Sequence, residues 1–201
     1  MNPKGNILLV DDDRLVLATL AHDLTRAGYG IDTAESVDEA MSFLQESHSL
    51  PALVILDVRM PGKSGLELAQ WLSSTADIPF MLLSAYSNHE IVDLATKYGA
   101  LGYLVKPIDT PQLLPSIEAA MARAKDIKSL RTIQQQLQTA LDAQRDINVA
   151  VGITMEKYRQ NRSGAFELLR KTARNQRLKL AELSGEIIKA SEILLKLNNK
   201  N

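Results

Sequence analysis

The sequence predicts an α/β protein in which the first 120 residues form a doubly wound parallel sheet and the rest is helical. Three observations support this prediction. Short apolar runs alternate with helical patterns up to about residue 120, glycine is absent from Pro111 to Asn148, and the net charge changes sign along the chain. Strict alternation of strand and helix implies right-handed crossovers, which give a parallel sheet covered by helices on both faces.

The strands of the first part are apolar runs of about four residues without polar alternation, as expected for strands covered on both faces. They are predicted at Ile7–Val10, Leu53–Leu56, Phe80–Leu83 and Tyr103–Val105, with a weaker strand near Gly30–Thr33. Helices are predicted between and after them, at about Arg14–Ala27, Val37–Gln45, Ser64–Ser73, His89–Tyr98 and Pro111–Ala124.

Carboxylates follow two of these strands at the point where each strand ends. Asp11, Asp12 and Asp13 come directly after the first strand, and Asp57 comes after the third. Ligands of open parallel sheets bind beyond the carboxyl ends of the strands. Crowded carboxylates repel one another unless a cation neutralises them, and their oxygen atoms suit Mg²⁺. The sequence therefore predicts a Mg²⁺ site, in which Asp57 is also a candidate nucleophile because aspartate forms acyl phosphates.

Two more polar side chains are predicted at the same edge of the sheet. Ser84 follows the fourth strand with a hydroxyl group, and Lys106 follows the fifth with a mobile positive charge. Asp13 is expected to cap the first helix or to face solvent.

A long helix is predicted to begin near Pro111, since proline suits the first helical position. Its apolar residues recur every ~3.4 residues, close to the heptad repeat of a coiled coil. They are Ile117, Met121, Ala124, Ile127, Leu130, Ile133, Leu137 and Leu141. Two interpretations are open: the helix folds back on its own domain, or it pairs with a second copy of itself. The spacing favours the second.

The last 60 residues are predicted to be helical with two breaks. Asn161-Arg-Ser-Gly164 predicts a turn in which Ser163 caps a helix from about Gly164 to Arg174. Asn175-Gln-Arg177 predicts a second break before a final helix at about Leu178–Leu197. Three short helices after a long one indicate a small bundle.

Composition excludes several classes of protein. The chain has no cysteine, which rules out a disulfide scaffold and fits a reducing compartment. No segment reaches the ~20 apolar residues that a membrane-spanning helix needs, and the first residues lack the apolar stretch of a signal peptide. The sequence therefore predicts a cytoplasmic protein that does not bind membranes.

The two parts of the chain carry opposite charge. Residues 1–120 contain 7 Lys/Arg and 16 Asp/Glu, whereas residues 121–201 contain 16 Lys/Arg and 8 Asp/Glu. Arg170, Lys171 and Arg174 lie at neighbouring positions of one predicted helix. Such a basic stripe suits nucleic-acid phosphates, but it equally suits a solvated helix face or a surface that docks on the acidic first part.

Four motifs occur in order within residues 5–122: LLVDDD, LDVRMPGKSG, LSAYS and GYLVKP. Through them the sequence resembles the receiver domain of two-component response regulators. The resemblance implies that a sensor histidine kinase phosphorylates Asp57. It also implies that Asp12 and Asp57 bind Mg²⁺ directly and that Asp11 assists through water.

The same resemblance assigns three residues to the switch. It implies that Ser84 moves toward the phosphoryl group, that Tyr103 changes rotamer with it, and that Lys106 contacts a phosphoryl oxygen. Tyr103 is alternatively a residue at the edge of the core.

Residues 142–196 resemble the ANTAR domain, a three-helix RNA-binding module of transcription antitermination regulators. The similarity lies in Gln144-Arg-Asp-Ile147, Ala150-Val-Gly152, Met155, Ala165-Phe-Glu-Leu-Leu-Arg170, Ala173, Asn175, Ala181 and Ile187. By this resemblance, the residues that pack the bundle are Ala150, Gly152, Ala165, Phe166, Ala173 and Ala181. The candidates for RNA contact are Arg145, Arg170, Lys171 and Arg174. Val151 departs from the family, which often has Lys there.

The sequence thus predicts a receiver domain at residues 1–122, a coiled-coil linker helix at 123–141 and an ANTAR-like domain at 142–201. The expected function is control of gene expression: phosphorylation of Asp57 leads a homodimer, joined through the coiled coil, to bind RNA stem-loops in nascent mRNA and prevent termination. A phosphorylation-controlled protein-interaction module and a DNA-binding regulator are the alternatives. Phosphoryl transfer to Asp57 and its slow hydrolysis are the only chemistry expected, so the protein is not otherwise an enzyme.

Overall fold

The computed structural model describes residues 4–47, 49–76, 78–85 and 89–198, with side chains described up to residue 193. Tyr86 and Ser87 of the LSAYS motif lie outside these residues. The chain divides into two units, Met1–Lys128 and Ser129–Asn201. Each unit has its own buried apolar side chains, so the two are described separately below.

The first unit contains a five-stranded sheet in the order β2-β1-β3-β4-β5, with every neighbouring pair parallel. Its strands are β1 (Asn6–Val10), β2 (Gly30–Ala34), β3 (Leu53–Asp57), β4 (Phe80–Ser84) and β5 (Tyr103–Val105). The predicted parallel sheet is therefore confirmed. β3 and β4 each extend one residue beyond the predicted end, so that Asp57 and Ser84 are the last residues of their strands.

Helices cover the sheet and leave one apolar cluster on each of its faces. They are α1 (Arg14–Arg26), α2 (Val37–Glu46), α3 (Gly65–Trp71) with a π-helical continuation at Leu72–Ala76, α4 (His89–Lys97) and the start of α5 (Thr110–Tyr158). Alternate residues of β1 and β3 belong to opposite clusters, since successive side chains of a strand point to opposite faces. Both strands are thus buried on both sides, which fixes where their last residues lie.

Helix α5 runs without a break from Thr110 to Tyr158. The predicted long helix followed by a small helical bundle is confirmed, and the end of α5 supplies the first helix of the bundle. No glycine or proline interrupts the chain between Pro115 and Gly152, so nothing in the backbone ends the helix there.

The second unit is completed by α6 (Arg162–Gln176) and α7 (Leu180–Asn198). Asn161 caps α6, since its side-chain oxygen accepts a hydrogen bond from the Gly164 amide at 2.8 Å. The predicted cap, Ser163, instead lies within the helix, and the prediction was wrong. Arg177 ends α6 in the left-handed conformation, at φ 58°.

Small side chains form the centre of the second unit. Ala150, Ala165 and Ala173 are buried as predicted, together with Val151, Leu169 and Leu183. Gly152 and Phe166 were predicted to pack in this bundle, but both are exposed and neither belongs to the apolar cluster. Ala181 is half-buried and also lies outside the cluster. Among the described residues, no helix is long and apolar enough to cross a bilayer.

Replacing Asn161 with Ala is expected to lower the stability of α6 by about 1 kcal/mol, because the Gly164 amide loses its acceptor. Native-state hydrogen exchange of the α6 amides measures this loss. Ser163→Ala is the matched control and is expected to change protection by less than about 0.5 kcal/mol, as for an exposed position without a special role. An equal loss of amide protection in the two variants would contradict the assignment of the N-cap to Asn161.

Candidate functional site

Three polar residues meet at the carboxyl edge of the sheet because neighbouring strands end side by side. Asp11 follows β1, Asp57 ends β3 and Ser84 ends β4, and the register pairs Asp57 with Leu83. Their exposed fractions are 3%, 5% and 1%. Two carboxylates are therefore held in surroundings that water barely reaches, which is costly for a charged group without a partner.

Lys106 supplies that partner. Its ammonium nitrogen lies 2.5 Å from Oδ2 of Asp11 and 2.6 Å from Oδ1 of Asp57, so one cation bridges both carboxylates. The backbone places this side chain: Lys106 follows β5, its amide donates to the Ser84 carbonyl at 2.7 Å, and its peptide bond to Pro107 is cis.

The bridge alters the ionisation of the groups involved. Burial raises the pKa of Asp11, and hydrogen bonds from Lys106 and from the Asp13 amide oppose that rise only in part. For Lys106, burial acts to lower the pKa, but the contacts with Asp11 and Asp57 outweigh it and the pKa is raised. The lysine therefore stays protonated, and the site retains its positive charge.

Backbone groups fix the position of Asp57. Its Oδ2 accepts a hydrogen bond from the Arg59 amide at 2.7 Å, while Oδ1 faces Lys106. Gly65 packs directly behind, since a Cβ on this residue would lie 1.9 Å from the Asp57 carbonyl oxygen. Sequence reasoning missed both contacts. The glycine of Lys63-Ser-Gly65, directly after Met60-Pro-Gly62, could have indicated the close approach of Gly65. A contact made by a backbone amide cannot be recognised from residue types.

The remaining predicted residues of the first unit lie around this centre. Asp13 caps α1 by accepting from the Leu15 and Val16 amides, as predicted. Asp12 is exposed beside the buried pair. Tyr103 is half-buried and packs against one of the sheet's apolar clusters, which agrees with the core-edge interpretation.

The donor set fits a hard divalent cation. Asp11 and Asp57 already face one shared positive charge, and carboxylate oxygens are the ligands that Mg²⁺ prefers. Within the described ranges, no three acidic or histidine side chains are grouped ready for a metal. Lys106 occupies the space between the two carboxylates instead, so Asp12 would complete the ligand set only if it turned inward.

The second unit presents the basic residues predicted for RNA contact. Arg170, Lys171 and Arg174 are exposed on α6, and with Glu167 and Leu168 they line an open depression of about 510 Å³. We call these three cations the basic ridge. Arg170 also pairs with Glu167 at 3.4 Å. Arg145 is exposed on α5 and is not among the described residues that line the depression.

Comparison with protein families agrees with both parts of this description. The model of the response regulator receiver domain matches residues 7–118, more than half of the chain. The protein is a response regulator of this family. The model of the ANTAR domain matches residues 135–188. The chain thus combines a receiver domain with a C-terminal ANTAR domain, as the sequence motifs indicated.

Individual relatives extend over different parts of this response regulator. The transcriptional regulatory protein PdtaR of Mycobacterium tuberculosis is 29% identical over 182 residues, which cover 90% of this chain and 88% of the relative. The phosphate regulon transcriptional regulatory protein PhoB of Rhizobium meliloti is 38% identical over 130 residues, 62% of this chain and 55% of its own length. A receiver domain protein from Clostridium thermocellum superposes with a TM-score of 0.56 at 28% identity and covers 61% of this chain and 98% of its own.

Replacing Lys106 with Met is expected to lower the free energy of unfolding by about 3 kcal/mol in EDTA, because two buried carboxylates lose their shared cation. Urea unfolding followed through Trp71, which lies in the first unit, measures the loss.

The matched control is Lys63→Met. Lys63 also contacts a carboxylate at 2.6 Å, that of Asp38, but both side chains are largely exposed. An exposed pair contributes about 1 kcal/mol or less. If the two variants lost equal stability, burial would not be what makes the Lys106 bridge important.

Proposed function

We propose that this response regulator is phosphorylated on Asp57 by a sensor histidine kinase and then binds RNA stem-loops in nascent mRNA, which prevents transcription termination. The observation that carries the proposal is the bridge from Lys106 to Asp11 and Asp57, because it places a buried carboxylate beside a cation that can move to a phosphoryl oxygen. The ANTAR match supports the RNA-binding part.

The chemistry begins at the side chain of Asp57. One of its carboxylate oxygens attacks the phosphorus of a phosphohistidine on the kinase. The phosphorus–nitrogen bond breaks, and the imidazole leaves with the electron pair and takes up a proton from solvent. The Arg59 amide orients the carboxylate through Oδ2. The product is an acyl phosphate on Asp57.

Mg²⁺ held by Asp11, Asp12 and Asp57 would neutralise part of the negative charge on the phosphoryl oxygens. Lys106 then exchanges its contact with the Asp57 carboxylate for one with a phosphoryl oxygen. Ser84, which is buried at the end of β4, donates its hydroxyl to the same group, and Tyr103 follows it. Beyond phosphoryl transfer to Asp57 and its slow hydrolysis, we propose no catalytic activity.

The RNA contact is proposed for the basic ridge together with Arg145. Exposed cations gain affinity for a phosphate backbone by releasing its counterions, and the loops of stem-loops offer unstacked bases for recognition. PdtaR is named a transcriptional regulatory protein, and we extend that role to this chain. A cytoplasmic location accords with this role and stays a prediction.

A homodimer through α5 completes the proposal. Leu130, Ile133, Leu137 and Leu141 are each more than half exposed, although they lie along one stripe of the helix. A second copy would bury this stripe as a coiled coil. The same stripe suits a different protein, which is the alternative function. Sedimentation of the full chain tests the proposal. A dimer that Leu137→Ser dissociates supports it. A wild-type protein that stays monomeric, and whose stripe is buried only in a complex with a different protein, contradicts it.

Phosphorylation is expected to raise RNA affinity by about 10-fold, within the usual range of coupling between two sites. The measurement uses hairpins selected from a pool with a fixed stem and a randomised loop, bound with and without acetyl phosphate and Mg²⁺. Asp57→Asn should abolish the increase, whereas Asp38→Asn, which removes one exposed carboxylate of the same unit, should retain it. Equally strong binding with and without phosphate would contradict the proposed switch.

The double variant Arg170→Ala, Arg174→Ala is expected to bind RNA at least ~10-fold more weakly and to reduce the salt slope of log K by about 1.5 to 2, because two phosphate contacts are lost. Arg123→Ala, Lys125→Ala is the control, since it removes the same charge from exposed positions outside the second unit.

Sequencing of RNA crosslinked to the protein in cells tests whether the same variants lose their RNA targets in vivo. Paired stem-loops upstream of terminators should be enriched with wild type and with the control and lost with the ridge variant. Absence of any specific RNA with the phosphorylated wild type would favour the protein-interaction alternative.

A further inference from the structure

A polar contact ties the first turn of α5 to α1. The hydroxyl group of Thr110, the first residue of α5, donates to Oδ2 of Asp23 in α1 at 2.6 Å. Both residues are half-buried, so water competes with this contact less than it would at an exposed site. Hydroxyl groups that bond to ionised carboxylates lie at ~2.5–2.7 Å and form the stronger kind of hydrogen bond. The contact therefore restrains the start of α5.

A short segment connects this contact to the candidate functional site. Lys106 lies four residues before Thr110, and its amide donates to the Ser84 carbonyl at 2.7 Å. Both Ser84 and Lys106 turn toward the phosphoryl group in the proposed function. Pro107 lies between Lys106 and α5, and its ring fixes one of the few backbone dihedral angles through which the segment could absorb such a movement. A displacement of Lys106 is therefore passed on to Thr110.

The first turn of α5 is joined to the rest of the helix by one hydrogen bond fewer than usual. Pro115 lies within α5 and has no amide hydrogen to donate to the carbonyl of Pro111, one turn earlier. Leu113 and Ile117 hold the helix on the sheet, since both are fully buried in an apolar cluster that also contains residues of α1. The Thr110 contact can therefore open locally while these two side chains stay packed.

We propose that the hydrogen bond from Thr110 to Asp23 is a latch that holds the start of α5 on α1 while Asp57 is unphosphorylated, and that movement of Lys106 to a phosphoryl oxygen opens it. This inference rests on the proposed phosphorylation and adds how it reaches α5. A contact made in only one of two states favours that state. The latch therefore lowers the affinity of the site for a phosphoryl group, and phosphorylation releases the start of the helix that carries the exposed apolar stripe.

Binding of beryllofluoride tests the latch, because this anion mimics a phosphoryl group on an aspartate. Fluorine NMR of the full chain with Mg²⁺ measures the affinity of wild type and of each variant, and thermal unfolding shows that each variant is folded. Thr110→Val keeps the shape of the side chain and removes its hydroxyl group, whereas Thr110→Ser keeps the hydroxyl group. Asp23→Ala removes the acceptor instead. Thr19→Val is the matched control, since the Thr19 hydroxyl donates to the Leu15 carbonyl within α1 at 2.8 Å.

Thr110→Val and Asp23→Ala are each expected to bind beryllofluoride about 10-fold more tightly than wild type, within the usual range of coupling between two sites. Thr110→Ser and Thr19→Val should keep the wild-type affinity. Hydrogen exchange gives a second readout of the same latch. In wild type, amides of residues 110–118 should exchange faster once beryllofluoride is bound. In Thr110→Val they should exchange at the faster rate without it.

Two results would overturn the latch and leave the proposed function intact. If Thr110→Val and Asp23→Ala bind beryllofluoride with the wild-type affinity, the contact supports the fold of α5 and is not coupled to Asp57. If both variants bind it more weakly, the contact belongs to the phosphorylated state. Failure of wild type to bind beryllofluoride is a different result, because it contradicts the proposed phosphorylation of Asp57 together with the latch.

Discussion

The shared contact of Lys106 with Asp11 and Asp57 is the interaction on which the receiver domain depends. Two carboxylates that are each 5% exposed or less would repel one another at the sheet edge without a cation between them. The sheet delivers the three groups from the ends of β1, β3 and β5, and β1 and β3 are buried on both faces. In the proposed function, a phosphoryl group on Asp57 would therefore meet a positive charge that is already in place.

Much of this arrangement could be predicted because its cause is local in the sequence. The apolar runs end at the charged residues themselves, so the ends of β1 and β3 were predicted to within one residue and the position of Asp57 followed. Gly65 and the Arg59 amide were not predicted, because their importance arises from contact with the Asp57 backbone and carboxylate. Contacts between a loop and a strand end depend on tertiary structure that no periodicity encodes.

The errors in the second unit have a different origin. Ala165, Leu169 and Ala173 recur every four residues and define the buried side of α6. Phe166 lies about 100° around the helix from Ala165, which places it beside the buried stripe. The helical phase of α6 therefore indicates an exposed Phe166, whereas the family resemblance implied that this residue packs in the bundle. Asn161 and Ser163 both suit a helix N-cap by residue type. Asn161 is the cap because it has the extended backbone conformation of a cap residue, with φ −76° and ψ 169°, whereas Ser163 lies within the helix.

The charges constrain how phosphorylation could promote RNA binding in the proposed function. A phosphoryl group adds about −1.5 to −2 to a part of the chain that already carries nine more acidic than basic side chains. Direct electrostatics would therefore oppose the approach of RNA. An activating switch has to work through another property, and the exposed stripe of Leu130, Ile133, Leu137 and Leu141 offers one. If phosphorylation favours pairing of this stripe, two ANTAR domains meet the RNA together. Linked sites gain affinity without any new contact in either site, which overcomes the unfavourable charge.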